Sequence, residues 1–126
     1  MNDIVNGKDT LKNLPLFSGL SIEQLRTVTS FSKIKIFKKN DFLFHEGDFY
    51  NGFFILLKGS VKVYKISSGG KESVVHIVKP LSVFADIPLF DGGNYPANAQ
   101  SLEESLLIFI SKEGFYKLIS EKPDMY

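Results

Sequence analysis

The chain has 126 residues, 44% of them apolar and 23% charged, with a formal net charge of +1 and no cysteine. These values fit one globular domain that can bury a core without staples, and they exclude a disordered chain. Without cysteine there is no disulfide scaffold, thiolate zinc site, cysteine-held iron–sulfur cluster or cysteine nucleophile.

The elements follow in chain order. Met1 to Thr10 is polar and reads as neither a signal nor a transit peptide, and no apolar run is long enough to span a membrane. A cytoplasmic location without membrane contact is therefore expected. Leu11, Leu14, Leu16 and Phe17, with Pro15, read as a short helix or turn. Ser21-Ile22-Glu23-Gln24 is a capping box, and Ile22, Leu25, Val28 and Phe31 form one apolar helical stripe behind it. After Ser32 the period changes to two. Lys33–Ile36 alternates as a half-buried strand, Phe42–His45 follows, and Phe53–Leu57 is apolar enough to be buried on both faces. Ser60–Ser67 and Ser73–Lys79 are strands joined at Ser68-Gly69-Gly70-Lys71, which has the signature of a two-residue hairpin turn. Two prolines and two glycines argue against a strand from Phe84 to Pro96, and a helical turn near Asp86 followed by a glycine loop is expected. Leu106–Ile110 is a further strand. Ser111 then caps a closing helix that turns Phe115, Leu118 and Ile119 to one side until Pro123. The fold class is mainly β with flanking helices: an antiparallel roll or jelly roll of about eight strands.

Charge composition narrows the function. Fourteen of the fifteen cations are lysine, and Arg26 is the only arginine. Nucleic-acid readers lean on the planar arginine fork, so this chain by itself is not expected to read DNA. His45 and His76 sit in separate strands and read as packed or surface residues. No His-x-His pair supports a cupin-like metalloenzyme, and no nucleophile–base pair suggests catalysis. Most of Phe42, Phe44, Phe49, Tyr50, Phe53 and Phe54 should pack the core, with some lining an apolar effector pocket.

The phrases Phe17-Ser18-Gly19-Leu20-Ser21, Glu46-Gly47-Asp48, Leu57-Lys58-Gly59-Ser60-Val61-Lys62-Val63-Tyr64 and Leu89-Phe90-Asp91-Gly92-Gly93 resemble the cyclic-nucleotide-binding domain, in particular the sensor half of bacterial Crp/Fnr-type transcription regulators. The resemblance runs from about Leu11 to Pro123. It implies one sensor domain over residues 1–126, with N-terminal helices at 11–32, a β-roll at 33–110 and the start of C-terminal helices at 111–126. It also implies an unknown small-molecule effector, a homodimer in the full-length regulator, and DNA contact only through a helix-turn-helix domain not in this chain. A stand-alone interaction module of the same fold, with no small-molecule ligand, is the alternative.

The resemblance further implies a ligand cassette with a short helix. Its residues here are Phe84, Ala85, Asp86, Ile87, Pro88 and Leu89, then Tyr95, Pro96, Ala97 and Asn98, with Val63 from the roll. The family pattern carries glycine, glutamate and a phosphate-pairing arginine. Ala85 and Asp86 stand for the first two, and Tyr95 or Pro96 for the third. No Lys, Arg or His lies from Pro80 to Ser111, whereas Asp86, Asp91, Glu103 and Glu104 do. Cyclic AMP and cyclic GMP are therefore not expected as cofactors unless Lys58, Lys62 or Lys71 reaches in. Some relatives bind haem through a histidine, which would make His76 the ligand.

Overall fold

Eight strands carry the fold of the protein, seen in a computed structural model that describes Gly19 and residues 21–121. They are β1 (Ser32–Phe37), β2 (Phe42–Phe44), β3 (Gly52–Lys58), β4 (Val61–Ile66), β5 (Glu72–Val78), β6 (Ser82–Phe84), β7 (Asn98–Ser101) and β8 (Ser105–Ser111). The described helices are α1 (Ile22–Ser30), α2 (Pro88–Asp91) and α3 (Lys112–Glu121). The strands form two four-stranded antiparallel sheets, in the orders β1-β8-β3-β6 and β2-β7-β4-β5. The architecture is the mainly β roll with flanking helices that the sequence predicts.

Local chemistry explains most boundaries. Ser21 and Gln24 close the capping box in both directions, at 2.8 and 3.1 Å. The Ser111 hydroxyl accepts from the Gly114 amide at 3.1 Å and starts α3 as expected. Gly114 lets α3 approach α1, because a methyl there would collide with the Phe31 side chain. β3 is buried from Phe53 to Leu56, since β8 and β6 flank it and Phe115 of α3 meets Phe53 edge-on at 5.5 Å.

Several expectations are corrected. The β4–β5 connection is not a two-residue turn. Ser67 and Lys71 pair across a three-residue loop, with Gly70 at φ 82°. Ile22 and Ile36 lie exposed, so the α1 stripe consists of Leu25, Val28 and half-buried Phe31, and β1 turns only Ile34 and Phe37 inward. Phe42 and Phe49 are also exposed, the former against His45 and the latter under the Lys112 ammonium. The expected helix at Leu11–Phe17, the Ile119 side chain and the break at Pro123 lie outside the described residues.

Candidate functional site

The segment after β6 is held by its backbone. Ala85 adopts φ +62°, a left-handed conformation that costs an alanine about 1–2 kcal/mol. Its carbonyl accepts a 2.6 Å hydrogen bond from the Tyr50 hydroxyl. The expected helical turn comes two residues later than Asp86, at α2, because Pro88 supplies a φ suited to the first helical position and its missing N–H is not needed there. Gly92, at φ 78°, ends the helix. The Tyr116 hydroxyl of α3 donates to the Leu89 carbonyl at 2.9 Å. The stretch from Ala85 through α2 is thus tied by one tyrosine to the body of the roll and by another to the closing helix. Burial pushes the Tyr50 hydroxyl well above the ordinary tyrosine range, with Tyr95, Asp86 and Tyr116 adding to it, so Tyr50 remains a donor.

Beside this segment lies a cavity of about 380 Å³. Eight residues singled out in the sequence line it: Val63, Phe84, Ala85, Asp86, Ile87, Pro88, Pro96 and Ala97. Three others do not. Leu89 is buried in the core. Tyr95 stacks on Phe44 at 4.0 Å and 11°, and its hydroxyl donates to the Gly52 carbonyl at 2.7 Å. Asn98 is a structural cross-link, accepting from the Glu46 amide at 2.9 Å and donating to the Tyr64 carbonyl at 3.3 Å. Of the two positions that compete for the arginine's place, Tyr95 points into the core and Pro96 lies on the cavity wall.

On the opposite wall, sequence reasoning missed Lys65 of β4 and Val75 of β5 and named His76 only as a haem ligand; Phe44, one of the aromatics expected at the core or pocket, and Val83 complete the lining. Strand alternation puts Val63 and Lys65 on one face. Val63 pairs with His76, but Tyr64 pairs with Val74, so Val75 is an extra residue in a bulge. A regular strand would turn only one of two successive side chains inward; the bulge lets both Val75 and His76 line the cavity. None of the lysines considered from sequence lines it. Lys62 pairs with Glu72 at 2.8 Å, Lys58 borders a separate hollow with Glu104, and Lys71 lies in the β4–β5 loop. Among the described residues, the side chains of Lys65, His76 and Asp86 have no hydrogen-bond or ion-pair partner.

The lining does not suit haem. It contains one imidazole, on an exposed strand, without the hydrogen-bonded outer partner that normally orients a metal-bound histidine. Among the described residues, no group of three metal-ligating side chains occurs and no helix is long and apolar enough to cross a membrane.

Comparison with known proteins agrees with this architecture. Residues 34–122 match the family described as the cyclic nucleotide-binding domain. The chain is 26% identical over 113 residues to the cyclic AMP receptor protein of Thermus thermophilus, covering 90% of this chain and 52% of that protein. It is 28% identical to the transcriptional activator protein anr of Pseudomonas aeruginosa, covering 89% of this chain and 45% of that one. The solved sensor domain of the transcriptional regulator DNR from Pseudomonas aeruginosa superposes with a TM-score of 0.91 at 25% identity, covering 99% of this chain and 84% of that one. The chain spans about half the length of the curated relatives it matches.

Proposed function

The chain belongs to the cyclic nucleotide-binding domain family, and we propose that it is the effector-sensing domain of a Crp/Fnr-type transcription regulator whose cavity does not select cyclic AMP or cyclic GMP. The observation that carries this reading is the distribution of charge around the cavity. Its cassette side presents Asp86 and Pro96, and the chain has no Lys, Arg or His from Pro80 to Ser111. A cyclic phosphate seated there lacks a charge-assisted hydrogen bond of about 1.5–3 kcal/mol and meets a carboxylate instead. The reading is regulatory rather than catalytic, as the matched relatives are regulators. It assigns homodimerisation to the full-length regulator and DNA recognition to a separate helix-turn-helix domain.

The two tyrosine ties give the mechanism. An effector against Ala85, Asp86 and Pro88 bears on the segment that leads into α2. The Tyr116–Leu89 hydrogen bond passes a displacement of α2 to α3. The effector shifts the balance between two α3 positions only as far as its affinities for them differ.

Titration calorimetry with cyclic AMP and cyclic GMP tests the ligand reading. Heats too weak to define a dissociation constant below the millimolar range are expected. A low-micromolar constant for either nucleotide overturns it.

A further inference from the structure

We propose that the cavity takes a small apolar acid, with its hydrocarbon body between the sheets and its anionic group on Lys65. This rests on the reading of the cavity as the effector site. Its charge polarity is the reverse of what a cyclic nucleotide requires: the carboxylate of Asp86 stands on the α2 side, while Lys65, among the described residues the only lysine or arginine of the lining, stands on β4.

Three observations carry the proposal. First, the lining apart from Lys65, His76 and Asp86 is hydrocarbon or aromatic, so the bulk of a ligand here must be apolar. A volume of about 380 Å³ lies at the small end of the range for small-molecule sites, about 300–1,000 Å³. Second, the Lys65 ammonium is committed to nothing else among the described residues, unlike Lys62 beside Glu72 and Tyr64. Third, the β5 bulge brings His76 to the same wall, where its ring adds an N–H donor for the same anionic group. One cation and one apolar chamber match a monoanion. Asp86 at the far end repels any negative group oriented toward α2, including the single charge of a phosphate diester.

The test uses three ligands of matched shape: 2-naphthoate, 2-naphthylmethanol and 2-naphthylmethylamine. Binding is followed by titration calorimetry, and its location by amide NMR shifts at Val63, Ala85 and Ala97. The acid is expected to bind about fivefold to tenfold more tightly than the alcohol, with the exposure of the ammonium taken into account. The amine should bind most weakly. Lys65→Gln should erase the acid's advantage and leave alcohol binding unchanged; Lys65→Arg should keep it. Equal binding of acid and alcohol at the cavity overturns the proposal while leaving the effector-site reading intact. Shifts confined to residues outside the cavity overturn both. Tight cyclic AMP binding that survives Lys65→Gln overturns the proposed function and with it this inference.

Discussion

Two arginine substitutions one residue apart should have opposite outcomes. Tyr95 is 4% exposed, stacked on Phe44, tilted against Tyr50 at 4.9 Å and hydrogen-bonded to the Gly52 carbonyl. Tyr95→Phe removes only the hydrogen bond and should cost about 1–2 kcal/mol. Tyr95→Arg removes the ring, worth about 3–5 kcal/mol for a buried aromatic, and adds a buried charge with no partner. That loss is comparable with the whole stability of a domain, about 5–15 kcal/mol, so the variant should be unfolded or nearly so. Pro96→Arg acts on an exposed residue of the cavity wall. It should cost about 0.4–1 kcal/mol through the freer unfolded chain and leave the fold intact. It also puts a guanidinium where a cyclic phosphate would dock, so cyclic AMP affinity should rise by about tenfold or more. Urea unfolding followed by circular dichroism gives the stabilities, and titration calorimetry gives the affinities. A folded Tyr95→Arg that binds cyclic AMP, beside a Pro96→Arg that does not, would refute this placement of the two side chains.

Other perturbations follow from single contacts. Tyr50→Phe removes the hydroxyl that holds the Ala85 carbonyl; it should cost about 1 kcal/mol and speed amide exchange from Ala85 to Leu89, read by hydrogen-exchange mass spectrometry. Gly59→Ala forces a methyl against the Ser105 hydroxyl and the Glu104 carbonyl at φ +100°, and a loss of about 2 kcal/mol or more is expected in urea unfolding. Burial raises the folded-state values of Tyr50 and Tyr95 above the ordinary 10.0, so the stabilisation is complete below 10.0 and is lost as pH rises from there to the raised folded-state values. Above about pH 10 stability should therefore fall, by up to about 1.4 kcal/mol per pH unit from Tyr50, and Tyr50→Phe should flatten that decline in pH-dependent unfolding. The isolated domain should not shift duplex DNA selectively at physiological salt in a gel assay, since Arg26 is its only arginine.

The capping box, the strand positions after Ser32 and the apolar run Phe53–Leu57 of β3 were legible because each is a local pattern with a single physical meaning. β6 and β7 were not. β6 has three residues beside Pro80, and β7 reads Asn-Ala-Gln-Ser, with none of the branched or aromatic side chains that mark a strand. β7 forms because β2 and β4 offer backbone partners on both sides, a cause that lies elsewhere in the chain. The same division runs through the site. The α2 wall follows one continuous phrase of sequence and was located residue by residue, apart from Leu89, Tyr95 and Asn98. The β4–β5 wall beyond Val63 depends on a pairing slip at Val75 that no single strand encodes, so Lys65 and Val75, and the place of His76 beside them, came to light only once the register was known.

That slip has a second consequence. β5 is the outermost strand of its sheet, and Val74 and Val75 are 51% and 61% exposed. A straight apolar strand at a sheet margin is a template on which another chain can add itself. The extra residue kinks the margin and breaks the even spacing of its free amides and carbonyls, and Pro80 withholds an amide just past its end. The irregularity that opens the cavity to two side chains therefore also guards the domain against strand-by-strand self-association.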